Sequence, residues 1–198
     1  MTAVTRERSS RSGSGSLRLF VAVKVADPAC DAAESAIARW RSQLPEAQWV
    51  PRANWHVTIS FLGATPPTLV PWVCERLADA VATASPIETN VRALGAYPST
   101  RRARVLWAGL DDAGGGLAAL ASAVRAALAR EFPPERRAFS AHLTVARGDP
   151  PLRLPESFGA TPLESERFTI DELMLMRSHL RRPAPVYEQI EVFPLGDA

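Results

Sequence analysis

Apolar and polar positions alternate along LRLFVAVKV (17–25), which predicts a buried strand. Asp27-Pro28 then reads as a helix start, with Asp27 as N-cap and Pro28 at the first helical position. The helix runs to about Gln43, carries Ala33, Ile37, Trp40 and Leu44 on an inner stripe, and stops at Pro45. A short strand at Gln48–Val50 precedes WHVTISFLG (55–63), the most strand-like run of the chain. Thr65-Pro66-Pro67 opens a second helix over Leu69–Ala84, and Pro86 closes it. Strands follow at Ile87–Leu94 and Arg104–Gly109, with the basic loop AYPSTRRA between them. A turn at Asp111–Gly116 leads into a third helix, Leu117–Glu131, ended by Pro133-Pro134. SAHLTVARG (140–148) is a further strand, and a Pro-rich loop (149–162) and two long strands, Phe168–Arg177 and Val186–Leu195, complete the chain.

Helices and strands mix without a steady βαβ rhythm, so the class is α+β. The second half weakly mirrors the first, which predicts two similar lobes. A chain of 198 residues, 46% hydrophobic and 22% charged, is the size of one domain with a sizeable core. Residues 1–16, MTAVTRERSSRSGSGS, are expected to form a disordered tail, with a single two-lobed domain over 17–198. The tail lacks the apolar stretch of a signal peptide, and no run of 18 apolar residues occurs, so no membrane partner is expected. Cys30 and Cys74 form no CxxC, which fits a reducing, cytoplasmic setting. Only three histidines are present, so no metal site is expected. Net charge is +2, and of 23 basic residues only Lys24 is a lysine. That lone lysine also excludes a GxxxxGK[ST] phosphate loop.

Two of the three histidines stand in matched settings. His56-Val57-Thr58 and His142-Leu143-Thr144 each lie inside an alternating run. Residues i and i+2 share one face of a strand, so each motif projects an imidazole beside a hydroxyl while Val57, Ile59, Leu143 and Val145 face the other way. Two imidazoles can serve as general base and general acid near neutrality. Two threonine hydroxyls can donate to phosphoryl oxygens. Together they suffice for in-line cleavage of a phosphodiester without a metal or other cofactor. A Ser–His site has no GxSxG or triad-like support.

HVTISFLG and HLTVARG resemble the paired signature of the 2H phosphoesterase superfamily. RLFVAVKV, RVLWAGL (104–110), Phe139-Ser140-Ala141 and DELMLMRSHL…VYEQIEVFPL (171–195) are similar to its RNA 2′,3′-cyclic phosphodiesterase branch, historically the 2′-5′ RNA ligases. The resemblance implies a two-lobed α+β, LigT-like fold, with antiparallel sheets around a central cleft and helices outside. It implies hydrolysis of a 2′,3′-cyclic phosphate, on RNA 3′ ends or nucleotides, to a 2′-phosphate by a monomer, with reverse 2′-5′ ligation as a companion reaction. His56 is then the acid and His142 the base; Thr58, Thr144 and Arg147 hold the phosphate, and Phe61 contacts the terminal base. Another 2H activity on small cyclic nucleotides or 2′-5′ oligonucleotides, and a non-catalytic RNA-end binding module, stay open.

Some residues fit less simply. Phe61 and Arg147 stand five positions after their histidines, so on ideal strands they face away; a strand end, twist or bulge must turn them, and Gly63 and Gly148 lie just beyond. Ala141 stands where the family often has proline, and Arg181–Pro185 precede Tyr187 where it commonly has glycine. Arg101, Arg102 and Arg104 form either an RNA-backbone patch or a solvated loop face, and Arg136-Arg137 is a weaker case. His179, the five tryptophans and both cysteines read as structural, with Trp55 pointing away from the histidine face.

Overall fold

Among the described residues, eight antiparallel strands build one sheet in two four-stranded halves. The computed structural model describes residues 15–133, 137–182 and 184–196. Residues 1–14 of the expected tail, Pro134, Arg136 and Pro183 lie outside the described residues. In the first half, β1 (Leu17–Val23) lies between β3 (Val57–Thr65) and β9 (Glu172–His179), and β9 pairs with β10 (Val186–Pro194). In the second half, β7 (His142–Leu152) pairs with β2 (Gln48–Trp49) and β6 (Ala103–Leu110), and β6 pairs with β5 (Val91–Tyr97). The lobes are therefore not halves of the sequence, because the last two strands complete the first lobe. The two halves meet at one residue pair, Val57 with Leu143.

Period-two alternation decides what each face carries. Leu19, Val21 and Val23 of β1, Val57 and Ile59 of β3, and Leu143 and Val145 of β7 enter one continuous core. That core receives the stripes of α1 (Asp27–Gln43), α2 (Val70–Val81) and α3 (Gly116–Leu128), including the expected Ala33, Ile37, Trp40 and Leu44. Each large apolar side chain buried there contributes about 1.5–3 kcal/mol. Phe20, Ala22 and Met174 form a small cluster of their own, with Tyr187 packed against it.

Several boundaries differ from the sequence reading, each for a local reason. The N-cap of α1 is Ala26, whose carbonyl accepts from Cys30 N–H, so Asp27 sits in the first turn and meets the helix dipole instead of capping. Ile87–Leu94 is two strands. β4 (Ile87–Thr89) pairs with β8 (Phe168–Ile170) in a second sheet, and the chain crosses to β5 at the buried Asn90. Phe168–Arg177 divides likewise into β8 and β9. The Pro-rich segment after Gly148 begins as strand, because β7 continues to Leu152. Its prolines cost no ladder bonds there: the register jumps from Arg147–Val105 to Leu152–Ala103 and skips residues 148–151.

Candidate active site

The two histidine strands are adjacent and antiparallel, with the central residues of the two His-x-Thr motifs opposite each other. That register carries His56 toward Thr144 and Thr58 toward His142. All four side chains, with Phe61 and Arg147, line one cleft of about 710 Å3. This lies within the range of about 300–1,000 Å3 usual for small-molecule sites.

Two bulges bring in Phe61 and Arg147. On β3, Thr58 pairs with Ala22 but Ser60 pairs with Val21, which leaves Ile59 without a partner. The extra residue reverses the alternation, and Phe61 emerges opposite Phe20 on the cleft side, largely exposed. On β7, Thr144 pairs with Trp107 but Ala146 pairs with Leu106, leaving Val145 over, and Arg147 falls opposite Val105. Each bulge sits at the third residue after its histidine, ahead of the glycines that suggested a bend.

The imidazoles are held alike. Nδ1 of His56 lies 2.8 Å from the Asn54 carbonyl oxygen, and Nδ1 of His142 lies 2.8 Å from the Ser140 carbonyl oxygen. A carbonyl accepts only, so Nδ1 carries the hydrogen in both rings and Nε2 is the basic nitrogen of the neutral form. The Thr58 hydroxyl lies 3.1 Å from Nε2 of His56 and donates to it in that form. Burial is the main influence on both rings. It pushes His56 down to about 4, with smaller lowering from the charges of Arg147 and His142 against the opposing Asn54 bond. It lowers His142 too, helped by the charges of Arg137 and Arg147.

Aromatic rings brace the histidines. Phe20 and Tyr187 lie 4.9 and 5.2 Å from His56, ring centre to ring centre, and Tyr97 lies 5.3 Å from His142. The Tyr97 hydroxyl donates to Ser140 Oγ at 2.8 Å, on the residue whose carbonyl holds His142. On the other side, Asn54 Nδ2 donates to the Pro185 carbonyl at 2.8 Å and ties the β9–β10 connection to the residue that holds His56. Arg18, Arg125, Arg137 and Arg147 line the cleft, and no carboxylate does among the described residues. Also among these residues, no group of three or more His, Cys, Asp or Glu is placed to hold a metal ion.

Tyr97, Arg125, Asn54 and Phe20 escaped the sequence reading. Phe20, Tyr97 and Arg125 come from separate elements and share no spacing with the histidines, whereas Asn54 stands two residues before His56 as Ser140 stands before His142, a repeat the differing residue types concealed. The other candidates fall elsewhere. Arg101 and Arg102 are exposed outside the cleft lining, and Arg104 reaches Asp149 at 3.9 Å. His179 Nε2 sits 2.7 Å from Glu188. Trp40 and Trp55 are buried, with Trp55 Nε1 donating to the Val50 carbonyl. Trp49 and Trp72 are half-buried and pack against the core, Trp49 also bordering the cleft, and Trp107 is half-buried. Burial pushes the Cys30 and Cys74 thiols up, away from reactivity.

The family model described as LigT like Phosphoesterase matches residues 28–107 and 110–187. A relative from Geobacillus stearothermophilus, named RNA 2′,3′-cyclic phosphodiesterase, is 31% identical over 178 residues, 86% of this chain. The chain spans 56% of that relative's length. One of the same name from Archaeoglobus fulgidus is 30% identical over 181 residues, 89% of this chain and 99% of its own. Among solved structures, TT0787 of Thermus thermophilus is similar with TM-score 0.76 at 26% identity, covering 92% of this chain and all of that one. E. coli LigT complexed with 3′-AMP shares the fold, with TM-score 0.74 at 20% identity over 92% of this chain and 99% of that one.

Proposed function

The chain belongs to the LigT-like phosphoesterase family, and from that premise we propose that it is a metal-independent RNA 2′,3′-cyclic phosphodiesterase. The observation that carries the reading is the placement of two Nε2-basic imidazoles, two threonines and Arg147 around one cleft free of carboxylates among the described residues. Arginines without competing acids suit a phosphodiester anion. The relatives that share this name support the RNA 2′,3′-cyclic phosphate as substrate.

In the proposed reaction, water attacks phosphorus opposite the 3′ oxygen. Nε2 of neutral His142 takes the water proton. The bond from phosphorus to the 3′ oxygen breaks, and Nε2–H of protonated His56 delivers its proton there. The products are a 2′-phosphate and a free 3′-hydroxyl, and solvent exchange restores both rings. Thr58, Thr144 and Arg147 donate to the non-bridging oxygens, and Phe61 stacks on the terminal base. Protonation of His56 changes what Thr58 does: once Nε2 bears hydrogen, the threonine no longer donates to it and its own proton is free for the phosphate. A 5′-hydroxyl in place of water gives 2′-5′ ligation by the same path. All six residues belong to one chain, and the protein acts as a monomer in the cytoplasm. Among the described residues no helix is long and apolar enough to cross a membrane.

The test is to incubate the protein and EDTA with 2′,3′-cyclic uridine monophosphate and with cyclic-phosphate RNA, then to separate 2′- from 3′-phosphate products. The 2′-phosphate is expected in both cases. Formation of the 3′-phosphate contradicts the assigned leaving oxygen, and loss of turnover in EDTA contradicts metal independence. Tight binding without product selects the RNA-end binding module.

A further inference from the structure

The cleft has two unlike ends. Around His56 stand Phe20 and Tyr187, with Phe61 opposite Phe20, the Pro185 carbonyl bonded to Asn54, and the charge of Arg147 felt by the ring. Around His142 it carries Arg137, and Arg125 lines the same cleft over Phe139, the residue before the Ser140 whose carbonyl holds His142; each guanidinium is laid over an aromatic ring. The Arg137 guanidinium lies 4.2 Å from the Tyr97 ring centre, and that of Arg125 lies 5.9 Å from Phe139. Among the described residues, neither guanidinium has a carboxylate within 4.0 Å, although other surface arginines of this chain do. Stacking fixes the plane of a guanidinium and leaves its N–H edges free for an anion. Tyr97 is itself fixed through its bond to Ser140. The bay is thus built and cationic, and it lies beyond what one reacting phosphate needs, since Thr58, Thr144 and Arg147 already serve that group.

We propose that Arg125 and Arg137 form a second anion subsite, which takes the phosphate of a nucleotide next to the one whose cyclic phosphate is opened. The inference rests on the phosphodiesterase reading for its ligand class. In-line displacement places the nucleophile and the leaving oxygen on opposite sides of phosphorus. With His142 as base, the nucleophile's side is the side of the bay. The same chemistry reaches the bay from either of two sources: the phosphodiester upstream of the terminal nucleoside, or the first phosphate of a strand whose 5′-hydroxyl replaces water. The charge of Arg137 is felt by His142 and is absent from the influences on His56, consistent with a bay at the His142 end.

Equilibrium binding tests this without turnover. Calorimetry compares uridine 3′-monophosphate with a 3′-phosphorylated diuridylate, which adds an upstream phosphate. It also compares 2′-5′ linked diuridylates with and without a terminal 3′-phosphate, each with a methylene in place of the scissile 5′ oxygen. One pair is expected to show tighter binding by roughly tenfold for the member with the added phosphate, the usual worth of a charge-assisted contact. R125Q/R137Q is expected to bring that ratio close to one, R125K/R137K to keep part of it, and a neutral methylphosphonate at the added linkage to abolish it. The pair that responds identifies the source. Equal binding within both pairs, or a ratio that survives in R125Q/R137Q, overturns the subsite. Turnover of cyclic uridine monophosphate is scored separately, so its absence refutes the phosphodiesterase reading and leaves the binding ratios to decide the bay.

Discussion

Replacing His56 by asparagine removes a titrating group and keeps a polar side chain beside the Asn54 carbonyl. In the folded protein burial pushes the His56 imidazole down to about 4 from an ordinary 6.5. In the unfolded chain the ring takes a proton as pH falls through about 6.5, whereas the folded protein resists until about 4. The unfolded state therefore binds more protons across that window, and stability falls with falling pH. At about 1.4 kcal/mol per pKa unit, this one group costs wild type about 3 kcal/mol between pH 6.5 and 4. Urea unfolding followed by tryptophan fluorescence, repeated at half-unit steps from about pH 7.5 to 4, measures it in wild type and H56N. The other titrations are common to both proteins apart from the small coupling to His142, so the difference between the two is dominated by His56. H56N is expected to gain about 3 kcal/mol relative to wild type as pH falls through the window. A difference flat to within about 0.5 kcal/mol, or one of opposite sign, refutes the claim that the cleft holds His56 neutral.

The remaining predictions are shorter. H56A and H142A are each expected to lower kcat by about 10²–10⁴ while far-ultraviolet circular dichroism stays native, as loss of a general acid or base does; wild-type kcat in either rules out the two-histidine mechanism. For kcat/KM the competent free enzyme has His56 protonated and His142 neutral, and both rings are lowered, so the pH optimum is expected below 6.5 and activity should decline above it; kcat/KM rising from about pH 7 to 8 contradicts the assignment. T58V and T144V, which keep shape and lose a donor, are each expected to cost about tenfold to a hundredfold in kcat/KM on the cyclic nucleotide. Ala93 occupies left-handed backbone at φ 62°, so A93G is expected to raise the unfolding free energy by about 1 kcal/mol in urea titration; a loss of stability shows that the side chain contributes more than the strain costs.

What the sequence disclosed about the site was whatever depends on short-range geometry. The shared face of His56 with Thr58 and of His142 with Thr144 follows from i, i+2 spacing on a strand, and the α1 stripe follows from 3.6-residue spacing. The direction of Phe61 and Arg147 could not be read that way. It depends on Ile59 and Val145 being left over in the pairing, and pairing is fixed by strands remote in sequence. The crossing at Asn90 was hidden for a similar reason, because an apolar run looks the same whether it stays in one sheet or passes between two. Arg125 and Arg137 lie twelve positions apart, but nothing in that stretch shows that α3 and the segment entering β7 face one cleft, or that the remote Tyr97 lies under Arg137. Asn54 stayed hidden because it holds His56 through its backbone carbonyl, which any residue type could supply, and Tyr97 because it reaches His142 from a strand remote in sequence.

Among the described residues, Val57 and Leu143 form the one point of strand pairing between the lobes, and it lies between the two imidazoles. One histidine-bearing strand from each lobe therefore flanks this seam, and the strands of both lobes enter the continuous core beneath it. The cleft is a property of the seam rather than of either lobe: neither lobe alone carries both imidazoles, and a substitution that disturbs the packing of Val57 or Leu143, both fully buried, displaces the two rings together.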